Sequence, residues 1–276
     1  LPLKLSNYHL KKLNTCERII DCEIVKKRRK YYAYFTCEYT VPDTDTQYLR
    51  TVDLGILRSL STVLFDCEGT LVKNSFRVFN DNKKRAKLNV MDIRIKGLQQ
   101  SMNWKLLKKL RAYRRNFVED YMRKSSKLFA ECCAGCKVLI GYPKHIKYRH
   151  FKGNGNKKHR TRLGSWSYRK HITYIQHACE AFGVHAKEVN ERMTSKRCSN
   201  CSSLNTDRPY KNQFSLFHCN DCFKTYNADF NACVNLGIKP IAPQRSAIGG
   251  CGLNRQAIKM TAPLHVNDPA QKRVSA

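Results

Sequence analysis

Short segments of alternating apolar and polar residues occupy the first 80 residues, a pattern typical of β-strands. Residues 19–41 contain two such segments joined by a basic turn, and Pro42 ends the second. Three further segments follow, separated by short turns, at residues 48–54, 61–65 and 71–79. Because short turns join antiparallel neighbours, we expect these three to form an antiparallel meander.

Helical periodicity replaces the alternation further along the chain. Apolar residues recur at steps of mostly three or four through residues 95–132, and no Pro or Gly interrupts residues 98–134. The pattern predicts one long amphipathic helix. Lysines and arginines cover much of its other surface. Those charges form either a solvated basic face or a face that follows a phosphate backbone, and the sequence leaves both interpretations open.

The remaining pattern completes an α/β fold. An apolar strand is predicted at residues 138–142 and a basic loop at 144–162. A second amphipathic helix covers residues 165–182, with Gly183 as its C-cap, and a short strand follows at 185–189. Strands, helix, strand, helix and strand in this order favour an α/β fold with a mixed sheet.

Charge and cysteine content suggest a class of partner and a compartment. Lys and Arg total 52 against 21 Asp and Glu, which gives a net charge of +31. So many cations favour a polyanionic partner, most often nucleic acid, over a merely soluble surface or an anionic membrane surface. The sequence contains no run of 18 apolar residues, so it predicts no membrane span. The 14 cysteines occur without a secretion signal, so we expect a reducing intracellular compartment.

Four of the cysteines have the spacing of a metal site. Cys198 and Cys201 form one C-x-x-C pair, Cys219 and Cys222 form another, and 17 residues separate the pairs. Each pair places two thiolates on one side of a tight turn, so two pairs complete a tetrahedron around zinc. Four thiolates leave no open position, so the predicted zinc is structural. His218 lies beside Cys219 but is not needed as a ligand.

Several acidic residues lie where a nuclease needs its metal ligands. Asp53 interrupts the apolar segment Thr-Val-Asp-Leu-Gly-Ile, where a lone charge is costly unless it is paired or bound to metal. Asp229 follows the second cysteine pair and is either a metal ligand or the N-cap of a helix at about residues 230–237. Glu188 and Glu191 precede the first pair. Two-metal nucleases gather such carboxylates from distant parts of the chain to hold Mg²⁺.

The order of these motifs resembles the transposon-encoded TnpB/OrfB family and its eukaryotic relatives, the Fanzor proteins, which are related to type V CRISPR effectors. The resemblance rests on TVDLGI, ERMTSKRCSNC, CNDC and NADFNACVNLG and covers roughly residues 20–238. It implies a RuvC-type, RNase H-like core and an RNA-guided, metal-dependent DNA endonuclease of a transposable element. A guide RNA would then pair with target DNA while the protein contacts backbone, shape and a short adjacent motif.

Carried over by position, the resemblance assigns catalytic and magnesium-binding roles to Asp53 and Asp229, the first and third RuvC acids. Many members carry the second acid, a Glu, near the position of Gly141, which has no side chain to bind metal. Fanzor proteins are similar in using a Glu shortly before the first cysteine pair. Glu191 fits that shifted position and is the expected second acid, with a catalytic and magnesium-binding role, and Glu188 is the alternative.

The expected domain organisation follows from the same resemblance. Residues 1–47 would be part of an N-terminal β-barrel and 48–193 the RuvC-like core, followed by a zinc ribbon at 194–226, a final helix at 227–240 and a tail at 241–276. The short N-terminal part and the absence of an initial Met suggest truncation. Two alternatives to the nuclease stay open: an inactive RNA-guided DNA binder or repressor, and a decayed fragment that binds nucleic acid through charge alone.

Overall fold

The computed structural model describes residues 4–27, 30–41, 46–56, 58–79, 81–144, 161, 163–208 and 215–238. The chain divides into two compact units, Leu1–Asp43 and Thr44–Ala276. The expected tail, most of the loop at 144–162 and Cys251 lie outside the described residues. No helix in the described ranges combines the length and apolar character needed to cross a bilayer.

The first unit holds a helix and a hairpin. Helix α1 (Asn7–Thr15) begins after Ser6, whose hydroxyl accepts a hydrogen bond from the His9 amide. Strands β1 (Arg18–Lys27) and β2 (Lys30–Glu38) pair antiparallel, so the two strands predicted between residues 19 and 41 are confirmed. The sequence pattern did not predict α1. The partial barrel stays a prediction, since the described residues of this unit contain only this hairpin.

The second unit contains eight strands and four helices in its described part. In chain order these are β3 (Tyr48–Asp53), β4 (Ser61–Phe65), β5 (Arg77–Val78), α2 (Asn82–Gln100), α3 (Trp104–Glu131), β6 (Cys136–Tyr142), α4 (Tyr168–Glu180), β7 (Ala186–Asn190), β8 (Thr206–Asp207), β9 (Leu216–Cys219), β10 (Thr225–Asn227) and α5 (Ala228–Ile238).

Five of these strands form one mixed sheet in the order β5-β4-β3-β6-β7, which confirms the predicted α/β class. Strands β5, β4 and β3 pair antiparallel as a meander, whereas β6 lies parallel to both β3 and β7. Strands β3, β6 and β7 therefore end at the same edge of the sheet. Side chains that follow these three ends are brought close together although they are far apart in the sequence.

Helices cover both faces of this sheet. Val52 and Ile140 point to one face, where they pack with Phe129 of α3 and Ile172 of α4. Because side chains alternate along a strand, Thr51 and Asp53 point to the opposite face. Helix α5 covers that second face, and its residues pack against Phe65 and other side chains of β4.

Two sequence predictions in this unit were wrong. The single helix expected over residues 95–132 is two helices, because the chain turns at residues 101–103. Met102 has φ 52° there, and the Asn103 side chain caps α3 by accepting from the Leu106 amide at 3.2 Å. The apolar spacing continues across the turn, so periodicity alone did not reveal it. The strand expected at 71–79 is reduced to β5 and an isolated bridge from Leu71 to Phe65.

A buried histidine makes the stability of the core depend on pH. His171 of α4 is only 3% exposed, with Nε2 3.4 Å from the Ser125 hydroxyl. Burial, and then the Lys84 charge, lower its pKa from 6.5 to about 4. Below pH 6.5 His171 binds a proton in the unfolded chain but stays neutral in the folded chain. The free energy of unfolding therefore falls as the pH drops towards 4. We expect the free energy of unfolding, measured by urea denaturation, to fall by about 3 kcal/mol between neutral pH and pH 4. This dependence on pH should be absent in His171→Phe.

The close approach of α5 to the sheet depends on a glycine. A Cβ on Gly237 would lie 2.4 Å from Cε2 of Phe65, whose side chain is fully buried. We expect Gly237→Ala to lower the free energy of unfolding by about 1–3 kcal/mol. Gly97→Ala in α2 is the matched control, because no atom lies within 4 Å of its added Cβ. That change should stabilise the protein by about 0.5–1 kcal/mol, and equal effects of the two changes would contradict the packing described.

Candidate active site and four-cysteine cluster

Asp53 is the last residue of β3, at the carboxyl edge of the sheet. It points to the face covered by α5, as does Thr51 two residues earlier. The Thr51 hydroxyl donates to the carbonyl oxygen of Cys233 in α5 at 2.8 Å, which fixes the helix to this strand. Asp53 therefore lies half-buried between the end of a central strand and the helix that carries Asp229.

Glu191 comes directly after β7 and reaches the same edge. Its amide donates to the carbonyl oxygen of Tyr142, the last residue of β6, at 3.5 Å. A Cβ added to Gly141 would lie 3.1 Å from Oε2 of Glu191. The Glu191 carboxylate thus lies beside the position from which a side chain at residue 141 would project. The structure places a carboxylate there although residue 141 is glycine.

Asp229 lies in the first turn of α5, next to Arg58. The interpretation of Asp229 as the N-cap was wrong, because the Asn227 side chain caps the helix, accepting from the Asp229 amide at 2.9 Å. Asn227 directly precedes the first helical residue, which is the position of an N-cap, whereas Asp229 lies inside the helix. The Asp229 carboxylate is left to contact Arg58, whose Nη1 donates to Oδ2 at 2.6 Å.

The three acids are close enough to affect one another. The pKa of Asp53 is raised well above its usual range, first by burial and then by the negative charges of Glu191 and Asp229. Opposite charge would lower the free energy of such a cluster, and three carboxylates offer the hard oxygen ligands that Mg²⁺ prefers. The donor chemistry of these residues therefore suits a divalent metal, and Arg58 is a cation in contact with Asp229.

Glu188 lies on the other face of the sheet. Its partner in the parallel register is Ile140, which packs against α3 and α4. The Glu188 carboxylate accepts a hydrogen bond from Nη1 of Arg169, in α4, at 2.6 Å. Among the two glutamates proposed from the sequence, the structure brings Glu191 and not Glu188 to Asp53 and Asp229.

A buried polar network, missed by sequence reasoning, holds the loop that carries Arg58. Asp81 is 4% exposed and accepts from the amide and hydroxyl of Ser59 at 2.5 and 2.9 Å. The Tyr121 hydroxyl donates to the same carboxylate at 2.5 Å. Asp81, just before α2, resembles an ordinary helix start in the sequence, and only the fold brings it to Ser59. The network fixes the residue next to Arg58 and so positions the cation that contacts Asp229.

Two asparagines of α5 connect the acids to the cysteines. The Asn231 side chain accepts from the Ser199 amide at 2.9 Å and donates to the Arg197 carbonyl at 2.8 Å. Asn235, one turn later, donates to the Thr194 and Arg197 carbonyls at 2.9 and 2.7 Å. These bonds tie the segment between Glu191 and Cys198 to the helix that carries Asp229. They give a structural reason for the asparagines in the NADFNACVN motif.

The four predicted cysteines form one cluster. The Sγ atoms of Cys198, Cys201, Cys219 and Cys222 all lie within 4.8 Å of one another. Cys198 and Cys222 are 3.7 Å apart, and Cys201 and Cys219 are 3.5 Å apart. A tetrahedron with Zn–S bonds of about 2.3 Å has edges of about 3.8 Å, so the cluster fits zinc. His218 instead contacts the Thr225 hydroxyl through Nδ1, at 2.9 Å.

The cysteine cluster is continuous with the acid-bearing helix. Strands β8, β9 and β10 form a small antiparallel sheet around the cluster, and α5 begins directly after β10. Phe217 packs there with Cys198 and Cys219. The position of Asp229 therefore depends on the order of the cysteine cluster.

Comparison with known proteins places these features in context. The sequence model of the Cas12f1-like TNB domain matches residues 168–236, which include the four cysteines, Glu191 and Asp229. A CRISPR-associated endodeoxyribonuclease Cas12f1 from an uncultured archaeon is 34% identical over 77 residues, 26% of this chain and 15% of that protein.

Solved structures extend the likeness beyond the residues of the TNB-domain match. A Cas12f1 complex with sgRNA and target DNA superposes with a TM-score of 0.54 at 21% identity. A CRISPR-Cas12f ternary complex gives 0.55 at 18% identity, and both superpositions cover 78% of this chain. The chain shares the Cas12f fold. It spans 55% and 44% of the lengths of the two solved Cas12f chains, so about half of each has no counterpart here.

Proposed function

We propose that this protein is an RNA-guided, divalent-metal-dependent DNA endonuclease of a transposable element, related to Cas12f and the TnpB family. The observation that supports the proposal is that Asp53, Glu191 and Asp229 lie near enough at one edge of the mixed sheet for the charges of the other two to act on Asp53. Guide RNA and target DNA are the proposed partners, and the net charge of +31 suits both.

Asp53, Glu191 and Asp229 would hold two Mg²⁺ ions. Bound Mg²⁺ would activate a water molecule and stabilise the oxygen that leaves the cleaved phosphodiester. The chain's own contribution is to fix the acids. Asp53 follows a central strand, and the segment between Glu191 and Cys198 is hydrogen-bonded to α5, the helix of Asp229. A structural Zn²⁺ held by Cys198, Cys201, Cys219 and Cys222 would keep the start of that helix in place.

The test is cleavage of a labelled duplex by the full chain with the RNA of its own element and Mg²⁺. We expect cleavage only with a guide that matches the target, and none in EDTA. The two alternatives give different results. An inactive guided binder would show guide-dependent binding but no cleavage, with Mg²⁺ as well as with EDTA. A decayed fragment would bind without guide dependence, with an affinity that falls steeply with salt.

A further inference from the structure

A cavity lined by arginines lies away from the acid cluster. Its volume is about 220 Å³, smaller than the roughly 300–1,000 Å³ typical of small-molecule sites. Arg111, Arg114 and Arg115 of α3 line one side, and Ser165 and Ser167, just before α4, line the other. Guanidinium groups and hydroxyls, which suit an anion, line it together with Val118, Met122 and Glu119.

The acidic residues near the cavity already have cations of their own. Arg114 donates from Nε and Nη2 to the two carboxylate oxygens of Asp92 in α2, at 2.7 and 3.3 Å. Glu119, which also lines the cavity, is paired with Lys170. The hydrogen bond from Lys170 lowers the pKa of Glu119, and the nearby charge of Arg115 contributes to the same shift.

Two positive charges remain in excess. Of the cations Arg111, Arg114, Arg115 and Lys170, two form ion pairs among the described residues: Arg114 with Asp92, and Lys170 with Glu119. No carboxylate in the described part of the chain lies within 4 Å of the guanidinium of Arg111 or Arg115. These two residues are four apart on one helix, where like charges repel. An anion between them would relieve that repulsion, and the planar guanidinium groups suit the oxygens of a phosphate.

The opposite wall of the cavity favours the same ligand. Ser167 precedes α4 and its side chain makes no capping hydrogen bond there, so its hydroxyl can serve a ligand. The start of α4 contributes the positive end of a helix dipole, which adds to the field of the arginines.

We propose that Arg111 and Arg115 form a phosphate-binding site for the backbone of a nucleic-acid strand. The inference rests on the proposed function, and it names a place on the protein where a strand is held apart from the acid cluster. The cavity suits one backbone phosphate, so the site supplies affinity and position without reading sequence.

The test compares two double variants of α3 that each remove two charges four residues apart. Arg111→Gln with Arg115→Gln alters the cavity, and Lys105→Gln with Lys109→Gln alters an exposed stretch of the same helix. Binding of labelled RNA and of DNA of the same sequence is measured by fluorescence anisotropy across a salt series. We expect the cavity variant to lose about tenfold or more in affinity, and its salt slope to fall by about 0.7–0.9, the value for one phosphate contact.

A markedly smaller loss in the lysine variant supports the site, and equal losses in both variants overturn it. The strand that loses more affinity identifies whether RNA or DNA occupies the cavity, and no loss with either overturns the inference. The double variant Arg111→Lys with Arg115→Lys keeps both positive charges and should restore the salt slope together with part of the affinity. This variant keeps the test decisive if the glutamine variant misfolds. Binding is measured without cleavage, so the two proposals are tested separately. The phosphate site can be refuted while the nuclease proposal stands, and the nuclease proposal can be refuted while the phosphate site stands.

Discussion

Replacing Asp53 by Asn should lower the rate of DNA cleavage on the order of a thousand-fold, the upper range for loss of one charge-stabilising group. The carboxylate ends the central strand of the sheet, and its pKa is raised first by burial and then by the charges of Glu191 and Asp229. An amide of the same shape has no charge with which to hold a divalent ion. The measurement is the single-turnover rate with saturating guide and target.

The same substitution should leave binding of guide and target unchanged and should stabilise the protein when Mg²⁺ is absent. A neutral Asn removes the repulsion that the acid cluster imposes on a half-buried carboxylate, so the urea midpoint in Mg²⁺-free buffer that retains zinc should rise. Asp120→Asn is the matched control, because Asp120 is exposed on α3 and pairs with Lys124 one turn later. Cleavage by the Asp53 variant at the rate of the Asp120 variant would contradict the assigned role.

Removing the metal from the cysteine cluster should have the second large effect. We expect Cys219→Ser to lose bound zinc, to expose the amides of residues 196–222 to hydrogen exchange, and to slow cleavage by about 10- to 100-fold. Apparent zinc affinities of about 10–16 kcal/mol in small structural sites act as folding free energy, so the small sheet should not persist without the ion. Cys219 is fully buried in the cluster, and α5 begins directly after this sheet.

Cys132→Ser controls for the loss of a thiol. Cys132 is exposed at the end of α3 and lies outside the four-cysteine cluster. This variant should keep one zinc per chain, measured by atomic absorption, and full cleavage. Protected amides in zinc-free Cys219→Ser would show that the cluster is held by packing alone, and unchanged cleavage would show that Asp229 does not depend on it.

The sequence predicted the sheet well because its strands have strong local signals. The strand at residues 61–65 has the predicted bounds, and the mixed sheet follows from the order of strands and helices. The turn at residues 101–103 was missed, since the apolar spacing continues across it and Met102 gives no local sign of a positive φ. Periodicity reports which face is buried but not where a helix is interrupted.

The candidate site was predicted in part for a similar reason. The two cysteine pairs carry their own spacing signal, and the structure clusters them. The sequence did not settle the choice between Glu191 and Glu188, because the two glutamates lie only three residues apart in one segment. It depends on the register of β7 against β6, which turns Glu188 towards Arg169. The network of Asp81, Ser59 and Tyr121 joins residues 22 to 62 positions apart and has no local signature.

The most direct test of the acid centre compares Glu191→Gln with Glu188→Gln in the guided cleavage assay with Mg²⁺. Both changes replace a carboxylate by an amide of equal size, three residues apart. The arrangement at the sheet edge predicts that Glu191→Gln loses cleavage as Asp53→Asn does. Glu188→Gln should keep nearly the full rate, since it loses only a partly exposed ion pair worth about 1 kcal/mol or less. Loss of cleavage in Glu188→Gln with a normal rate in Glu191→Gln would contradict the proposed centre.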